Sequence, residues 1–378
     1  MHLGLILPSF SASGAVQIPS LTLLAAGLAP KLDTTVIPLR NPPGIEHLNA
    51  GGINVLDPGG ASMRFRNVAR RTVELIRDQH RTRPFDVLHA YWLFEPGAIA
   101  IAAGRILNVP VVASVGGAEL VALPEIGYGG LRSRRGRLLY TVVLRSANLV
   151  TGGSRYTLDL AARQAPSAAP RMRLAPLPVE RAASTSSGSS PYSTGSAPNL
   201  LQVGAYLPVK GQDLAIRALA ELRPDHPDLR LTIIGEDPHG YRGRLQSLAA
   251  NLGLGDRVRP LPRVPHNELS GYYRHADLLL MPSRHESQGM VVLEAAALGL
   301  PTVGSDLGVV RDLAPDAAVA VLTGDVRALA RATAEFLNDG ERRAGIGARA
   351  RRIVEERYSL EPVVSRWVDL YEEAAGGG

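Results

Sequence analysis

Short runs of valine, isoleucine and leucine alternate with longer amphipathic stretches along the whole chain, and this alternation restricts the fold most. Strands are predicted in the first half at 3–7, 35–39, 86–90, 111–115 and 148–151, and in the second half at 200–203, 231–234, 258–261, 278–281, 302–303 and 319–322. Helices are predicted between them, for example at 212–222, 241–252 and 326–337. Continuous apolar runs are typical of parallel strands that are covered on both faces. Because the pattern occurs twice, the sequence predicts an α/β chain of two doubly wound domains.

A polar segment separates the two halves. Residues 182–198, AASTSSGSSPYSTGSAP, are rich in Ser, Thr, Gly and Pro, which is typical of a flexible connector. A length of 378 residues also suits two domains. We therefore predict a first domain at 1–181, a linker at 182–198, a second domain at 199–360 and a final helix at 361–378 that crosses back to the first domain. The domains are expected to face each other across a cleft, with ligands at the carboxyl ends of both sheets.

The composition excludes several classes of protein. The chain has no cysteine, which rules out disulfides, thiolate nucleophiles and cysteine-ligated zinc. Its N-terminal MHLGLILPSF lacks the basic segment of a signal peptide, and no apolar run reaches the roughly 18 residues that span a bilayer. We therefore expect a cytoplasmic protein. No G-x-G-x-x-G follows the first predicted strand, and GAYLPVKG lacks the spacing of a P-loop, which argues against both nucleotide-binding classes.

Positive charge is concentrated in the first half. Residues 1–180 contain 19 basic and 11 acidic side chains, a net charge of +8, whereas residues 181–378 contain 22 and 24, a net charge of −2. Nucleic acid is not indicated as a partner, because no recognition helix, RNA-binding aromatic strand or zinc finger accompanies the charge. An anionic membrane surface or an acidic acceptor fits better, and a solvated arginine-rich surface is the alternative.

One segment of the first half combines charge with apolar residues. Residues 131–145, LRSRRGRLLYTVVLR, place five arginines beside a stretch rich in leucine and valine. A helix of this composition can lie on an anionic bilayer. The same composition also suits a packed helix whose first turns are solvated. A peripheral membrane contact is thus one of two interpretations of this segment.

Lysine is rare in this chain, which makes each lysine informative. Of the 41 basic residues only two are lysines, Lys31 and Lys210. Lys210 follows a predicted strand and its loop, and it precedes a helix. A compact, mobile ammonium group at the carboxyl end of a strand can meet a phosphate as a point charge. An ordinary lysine on a surface loop is the alternative interpretation.

Two glutamates in an E-x7-E spacing mark the most informative segment, residues 280–306, LMPSRHESQGMVVLEAAALGLPTVGSD. Glu286 and Glu294 flank a Ser-Gln-Gly turn that opens an apolar helix, and Gly299 and Pro301 provide the expected end of that helix. A strand followed by such a turn and a helix binds anions at the helix N-terminus. Two carboxylates beside an anion site suggest a ligand with phosphates and hydroxyls, such as a nucleotide sugar.

These segments resemble a known family. The chain is similar to the retaining, metal-independent glycosyltransferases of family 4, also called group 1, which have the two-domain GT-B fold. The resemblance covers most of 199–360, through VGAYLPVKGQDLAI, LTIIGEDP, RVRPLPRV, YYRHADLLLMPSRHESQGMVVLEAAALGLPTVGSD and ERRAGIGARARRIVEERYSL. It is weaker in the first half, through LILPSFSASG, DVLHAYW and SANLVTGGSRYTLDLA. It implies transfer of a sugar from a nucleoside-diphosphate sugar to an unidentified acceptor, without a cofactor.

The resemblance also implies roles for residues of the second half. Lys210 would neutralise the leaving diphosphate, as a metal ion does in other transferases. Glu286 would accept hydrogen bonds from hydroxyls of the donor sugar, and Glu294 from those of the ribose. The backbone N–H groups of Gly289 and Met290 would hold the sugar and the diphosphate. Because the neighbours of Glu294 are small and apolar, a ligand is expected to be the partner of its carboxylate.

Three further positions complete the expected donor site. Gly14, in the loop after the first strand, would let a backbone N–H group approach the phosphates. Arg263 and Val264 would flank the base. No metal site is expected, because no Asp-x-Asp pair stands at the end of a predicted strand.

The chain departs from the family pattern at three positions. Ala205 stands where the G-R-x-x-x-x-K-G loop usually has Arg, and Gly116 stands where a loop of the first domain usually has His. Gln288 replaces the aromatic residue of the E-x-F-G turn. The missing His bears on the donor, because that residue approaches the 6-hydroxyl end of a hexose. His89, at the end of a neighbouring strand, is either a substitute for it or a packed residue.

Two other functions remain as alternatives. The losses at positions 205 and 116 motivate a non-catalytic or partner-dependent GT-B protein that binds nucleotide sugar. A GT-B epimerase of nucleotide sugars would use the same cleft with different acids, and the E-x7-E turn argues against it. The sequence leaves the donor base, the sugar, the acceptor and the oligomeric state open.

Overall fold

The computed structural model describes residues 1–10, 19–41, 52–180 and 197–376. It divides into two compact units. Unit 1 comprises Met1–Glu180 and Tyr358–Gly378, and unit 2 comprises Arg181–Arg357. Each unit has its own parallel sheet, its own packed helices and its own hydrophobic core. The prediction of a chain built from two Rossmann-like α/β domains is therefore confirmed.

Seven parallel strands form the sheet of unit 1. They are β1 (His2–Leu7), β2 (Asp33–Pro38), β3 (Asn54–Val55), β4 (Val87–Tyr91), β5 (Val111–Val115), β6 (Leu149–Gly152) and β7 (Met172–Leu174). Their spatial order is β3-β2-β1-β4-β5-β6-β7. Strands β1, β4, β5 and β6 are buried along their whole length, as expected for parallel strands covered by other elements.

In the described part of unit 1, five α-helices connect these strands. They are α1 (Pro19–Leu28), α2 (Phe65–Thr82), α3 (Glu95–Leu107), α4 (Arg134–Ser146) and α5 (Arg155–Gln164). Serine caps begin two of them, because the side chain of Ser133 accepts a hydrogen bond from Gly136 and that of Ser154 accepts one from Thr157. Helix α3 is capped at its C-terminus by Asn108, which adopts the left-handed conformation that asparagine tolerates well.

Six parallel strands form the sheet of unit 2. They are β8 (Asn199–Val203), β9 (Arg230–Ile234), β10 (Val258–Leu261), β11 (Leu278–Met281), β12 (Thr302–Ser305) and β13 (Val319–Val321), in the spatial order β10-β9-β8-β11-β12-β13. The helices of this unit are α6 (Gln212–Leu222), α7 (Tyr241–Asn251), α8 (His266–Arg274), α9 (Met290–Ala297), α10 (Gly308–Leu313), α11 (Val326–Asn338) and α12 (Gly340–Arg357).

The last helix, α13 (Leu360–Gly376), belongs to unit 1. It packs against α1, β4 and β5 of that unit. Its two large aromatic side chains, Trp367 and Tyr371, are fully buried, and the indole N–H of Trp367 donates to the carbonyl oxygen of Pro176 at 3.1 Å. Burial of two aromatic rings makes this helix part of the core of unit 1.

All eleven predicted strands are present, with ends that differ by at most two residues from the prediction. Two further strands, β3 and β7, were not predicted. They have only two and three residues, and both lie at the edges of the sheet of unit 1. Such short edge strands carry no continuous apolar run, so the sequence pattern does not mark them.

Both sheets reverse their strand order at one point. The reversal lies between β1 and β4 in unit 1 and between β8 and β11 in unit 2. In open α/β sheets, ligands bind beyond the carboxyl ends of the strands at such a switch point. A ligand site of unit 2 is therefore expected at the loops that follow β8 and β11.

Candidate functional site

The loop after β8, residues 204–211, is fixed to the neighbouring strands by side chains at both ends. The hydroxyl of the fully buried Tyr206 lies 2.8 and 2.7 Å from carbonyl oxygens in β9 and β10. At the other end, the side-chain amide of Gln202 donates to the carbonyl oxygen of Lys210 at 2.8 Å. These bonds hold the backbone of Lys210 at the carboxyl end of the sheet.

Gly211 brings this loop against the segment that follows β11. Its φ of +66° lies in the left-handed region, and a Cβ atom at this position would stand 2.0 Å from the carbonyl oxygen of Pro282. Any larger residue would therefore clash with the backbone of the second loop. The glycine that follows Lys210 allows the two loops to meet.

Arg284 fastens the same two loops together through hydrogen bonds. Its guanidinium donates to both carboxylate oxygens of Asp213, in the first turn of α6, at 2.8 and 2.7 Å, and to the carbonyl oxygen of Pro208 at 2.6 Å. The backbone N–H of Arg284 donates to the carbonyl oxygen of Val209 at 2.7 Å. Bidentate pairs of this kind fix geometry as well as contributing energy. The sequence analysis missed this clamp, although both residues lie inside the quoted motifs.

Lys210 and Glu286 form an ion pair at the centre of this arrangement. The Nζ atom of Lys210 lies 2.7 Å from Oε2 of Glu286, and the two side chains are 31% and 16% exposed. The sequence analysis assigned the two residues separate partners on a ligand, and the structure brings them into direct contact. Both charged groups are still partly open to solvent, so an anion or a hydroxylated ligand can reach them.

The N-terminus of α9 lies beside Glu286. Gly289 precedes the helix with φ of +91°, and a Cβ atom there would stand 3.3 Å from Cγ of Glu286. The first N–H groups of a helix have no acceptor within the helix, and the helix dipole makes this end favourable for negative charge. Gly289 and Met290 thus form the start of this helix, with Gly289 next to Glu286, and binding of an anion by their N–H groups stays a prediction.

Glu294, on the second turn of α9, has a partner inside the protein. The hydroxyl of Tyr273, on α8, donates to its Oε2 atom at 2.7 Å. Burial and the adjacent Glu294 carboxylate raise the pKa of Tyr273 well above its ordinary value, so the tyrosine keeps its proton. The Glu294 carboxylate thus has a protein partner, because the ring of Tyr273 comes from another helix, and the expected contact of Glu294 with a ribose stays a prediction.

Two of the expected donor-site residues are not part of this cluster. Arg263 and Val264 follow β10, and the exposed guanidinium of Arg263 lies 3.9 Å from a carboxylate oxygen of Glu236. Gly14 lies outside the described residues. The structure thus brings Lys210, Glu286 and Gly289 together, and it places the partner of Arg263 in the segment that follows β9.

His89, the proposed substitute for the missing histidine, is a packed residue of unit 1. It is fully buried, its Nδ1 lies 2.8 Å from the Tyr371 hydroxyl, and its Nε2 lies 2.7 Å from the Ser114 hydroxyl. Its ring also stacks on Trp367 at 4.8 Å. Burial lowers the pKa of His89 to about 3, so the ring is neutral in the fold. Of the two interpretations, the packed residue is the one that the structure supports.

Two kinds of feature are absent from the described residues. No three His, Asp or Glu side chains there come together in a way that could hold a metal ion. In the same part of the chain, no helix is both long enough and apolar enough to cross a bilayer.

Two doubly wound domains, with a Lys–Glu pair and a helix N-terminus at a switch point, define an α/β protein with a candidate anion-binding site. Family models match both halves: "Glycosyl transferases group 1" at residues 193–353 and "Glycosyl transferase 4-like domain" at residues 19–178. The chain belongs to the group 1 glycosyltransferases, and it is an enzyme with the GT-B fold. The family membership that the E-x7-E segment predicts is confirmed.

Relatives of known name support this assignment. The chain is 33% identical over 290 residues to a GDP-mannose-dependent alpha-(1-6)-phosphatidylinositol monomannoside mannosyltransferase of Mycolicibacterium smegmatis, covering 71% of this chain and 74% of that protein. It is 32% identical over 304 residues to a D-inositol 3-phosphate glycosyltransferase of Kineococcus radiotolerans, covering 72% and 68%. With the enzyme of the same name from Thermobispora bispora it shares 36% identity over 184 residues, but that match covers only 43% of the relative.

Solved structures share the fold over the whole chain. Sucrose-phosphate synthase from Thermosynechococcus elongatus superimposes with a TM-score of 0.82 at 20% identity, covering 100% of both chains. Anabaena HepE, in complex with UDP and glucose, superimposes with a TM-score of 0.75 at 17% identity, covering 98% of this chain and 99% of that chain. At these identities the likeness concerns the fold alone.

Proposed function

We propose that this enzyme transfers a sugar from a nucleoside-diphosphate sugar to an acceptor hydroxyl, with retention of the anomeric configuration and without a metal ion. The observation that carries the proposal is the Lys210–Glu286 pair, which joins the loops after β8 and β11 beside the N-terminus of α9. This combination offers positive charge for a diphosphate and a carboxylate for sugar hydroxyls at one point of the sheet.

The charges of the site suit the departure of a diphosphate. In the transfer, the bond between the sugar carbon and the diphosphate breaks, a bond to the acceptor oxygen forms, and the acceptor proton is released. Negative charge grows on the leaving diphosphate, where the ammonium of Lys210 and the N–H groups at Gly289 and Met290 would stabilise it. A cationic side chain of this kind would supply the countercharge that a divalent metal supplies elsewhere.

Glu286 has two roles in this proposal. Without a ligand it pairs with Lys210 at 2.7 Å and keeps the ammonium group in place. With donor bound, its carboxylate accepts hydrogen bonds from hydroxyls of the sugar, while Lys210 turns to the diphosphate. Lysine has three donor hydrogens on a flexible stem, so it can keep one bond to Glu286 and direct the others to phosphate oxygens.

The names of the relatives suggest which substrates to test first. One relative is named as GDP-mannose-dependent and as acting on a phosphatidylinositol monomannoside, and others are named D-inositol 3-phosphate glycosyltransferases. GDP-mannose is therefore the first donor to test. Inositol phosphates and phosphatidylinositol-based lipids are the first acceptors.

The test is a panel of UDP-, GDP- and ADP-sugars, each assayed for diphosphate release with D-inositol 3-phosphate and with phosphatidylinositol in vesicles. Release that depends on an acceptor supports the proposal, and NMR of the product then shows whether the anomeric configuration is retained. Binding of donor without release for any pair would support the non-catalytic alternative instead. Activity that is lost in EDTA and restored by Mg²⁺ or Mn²⁺ would contradict metal independence.

The surface of α4 suggests where a lipid-linked acceptor would be met. This helix carries four arginines and no acidic residue, and its Leu138 and Val142, one turn apart, are 68% and 42% exposed. Apolar side chains between arginines match the chemistry of an anionic bilayer surface. We therefore extend the proposal to a peripheral contact between α4 of unit 1 and an anionic membrane.

A further inference from the structure

Trp92 has a strained backbone directly after β4. Its φ is +81°, in the left-handed region, and Asn108 is the only other residue besides glycine with a positive φ in the described part of the chain. Asparagine is common in this conformation, whereas a bulky tryptophan there is a genuine outlier. The turn is held by hydrogen bonds from the Trp92 N–H to the carbonyl oxygen of Ser114 and from the Gly97 N–H to that of Trp92.

A buried acid helps to hold this strained turn. Oε1 of Glu119 accepts hydrogen bonds from the backbone N–H groups of Leu93, at 3.3 Å, and Gly116, at 3.4 Å. Glu119 is 4% exposed, and burial raises the pKa of its carboxyl above the ordinary value. Its Oε2 atom has no hydrogen-bond partner among the described residues. Burial of a carboxyl group lowers the stability of the fold, and so does the strained turn that this group supports. Both costs occur at the same place in unit 1.

The indole of Trp92 is not absorbed into the core. Its neighbours Tyr91 and Leu93 are buried, whereas Trp92 is only partly buried. Its Nε1 would lie 3.0 Å from a Cβ atom at Gly116 and 3.2 Å from one at Gly117, so the paired glycines make room for the ring. The indole N–H has no hydrogen-bond acceptor in the described part of the chain. A donor that stands partly exposed without a partner is available to a ligand.

The position of Trp92 in the sheet also points to a ligand. Strand β4 lies next to β1, where the strand order of unit 1 reverses, and Trp92 is the first residue beyond the carboxyl end of β4. Strained residues of this kind cluster at binding sites. An indole offers an apolar ring face together with one N–H donor, which matches a hydroxylated ring with apolar C–H groups.

We propose that Trp92 binds the acceptor, contacting a sugar or polyol ring through its indole face and N–H group, and that Glu119 is the positioning residue for its turn. The identification of the bound ring as the acceptor rests on the proposed function. Binding of a ring at Trp92 does not depend on turnover. Neither residue belongs to the donor site described in unit 2.

The first experiment uses tryptophan fluorescence and needs no turnover. The chain has two tryptophans, so Trp367→Phe leaves Trp92 as the single emitter. Methyl α-D-mannopyranoside and myo-inositol serve as ring probes at millimolar concentrations. We expect a saturable change in the Trp92 emission with at least one probe and no change in Trp92→Phe, whose remaining Trp367 is buried. If Trp367→Phe does not fold, the difference between the wild type and Trp92→Phe gives the same readout. Absence of any change with both probes would overturn the proposal.

The second experiment separates binding from structure. Trp92→Phe keeps an aromatic ring but removes the N–H donor, so we expect acceptor KM to rise about fivefold while donor KM and Tm stay unchanged. Trp367→Phe is the matched control, because loss of its hydrogen bond to Pro176 should lower Tm and leave both KM values unchanged. An unchanged acceptor KM in Trp92→Phe would count against the proposal even if the enzyme is active.

Variants of Glu119 test its positioning role. Glu119→Gln keeps an oxygen acceptor for the two backbone N–H groups, whereas Glu119→Ala removes it. We expect the emission response of Trp92 to the ring probe to survive in Glu119→Gln and to disappear in Glu119→Ala. A response that survives in both variants would show that Glu119 does not hold the Trp92 turn.

Discussion

Lys210 and Glu286 are 76 residues apart in sequence, yet their side chains meet at 2.7 Å, and this contact ties the loop after β8 to the loop after β11. Because the sheet order places β8 beside β11, the two loops leave neighbouring strands at the same edge. The pair is partly exposed, so its own contribution to stability is expected to be at most about 1 kcal/mol. Its importance is expected to lie in catalysis.

Lys210→Ala should abolish most of the activity and leave the fold intact. Loss of the main countercharge to a leaving diphosphate is expected to lower kcat by about 10²–10³, by analogy with removal of one oxyanion donor. Steady-state kinetics and thermal unfolding measure the two effects. Lys31→Ala is the matched control, since Lys31 is the only other lysine and forms an exposed ion pair with Glu361. A well-folded Lys210→Ala enzyme with normal kcat would refute the assigned role.

Tyr273→Phe should weaken the site through Glu294. The variant keeps the ring and removes the hydroxyl that donates to the carboxylate at 2.7 Å. Loss of a hydrogen bond to a charged group is expected to cost about 1.5–3 kcal/mol of the free energy of unfolding, and nucleoside diphosphate should bind several-fold more weakly. Urea unfolding and calorimetric titration check these two effects. Tyr241→Phe is a suitable control, because the Tyr241 hydroxyl makes no hydrogen bond within the described residues. Equal stability of Tyr273→Phe and wild type would contradict the prediction.

The sequence marks some residues of this candidate site but not the contacts between them. The two glutamates and Lys210 can be recognised because the E-x7-E spacing and the scarcity of lysine are visible in the chain itself. The Arg284–Asp213 clamp and the Tyr273–Glu294 bond depend on side-chain directions across different elements, which spacing along the chain does not give. The small apolar neighbours of Glu294 in the sequence gave no sign of its protein partner, because Tyr273 comes from a helix outside the E-x7-E segment.

The fold was easier to predict than the site. Strands with continuous apolar runs, such as β1 and β11, can be read from the sequence because burial on both faces requires such runs. The strain at Trp92 has no sequence signal, since only the backbone angle reveals it. His89 shows the same limit, because its position at a strand end suits either a ligand contact or a packed core until its neighbours are known.

His89 should make the fold sensitive to acid. Its pKa is about 3 in the fold and near 6.5 when unfolded, so the unfolded chain binds more protons between these pH values. The contribution to stability is therefore complete above pH 6.5 and is lost as pH falls toward 3. At pH 5 it should have decreased by about 2 kcal/mol relative to pH 7. His89→Gln removes this titration, so the loss of Tm from pH 7 to pH 5 should be smaller in the variant. If Tm falls equally with pH in the wild type and in His89→Gln, the prediction is wrong. Titration of Glu119 does not affect this comparison, because both proteins contain it.

The surface of α4 should bind anionic vesicles, and this binding should depend on its exposed apolar residue Leu138. Wild-type protein is expected to co-sediment with vesicles that contain phosphatidylglycerol and to stay in the supernatant with phosphatidylcholine alone. Each arginine near such a surface contributes about 1 kcal/mol, and this contribution falls as salt screens it. Binding should therefore be strongest at low salt.

Leu138→Asp should release the protein from these vesicles, because it places a negative charge among the arginines of α4 and removes the most exposed apolar side chain of that helix. Leu322→Asp is the matched control, since Leu322 is 75% exposed but lies in unit 2, after β13. The control should sediment like the wild type, which shows that added negative charge alone is not the cause. If wild-type protein stays in the supernatant with both kinds of vesicle at low salt, α4 has no membrane role. The acceptor should then be sought among soluble inositol phosphates and sugars.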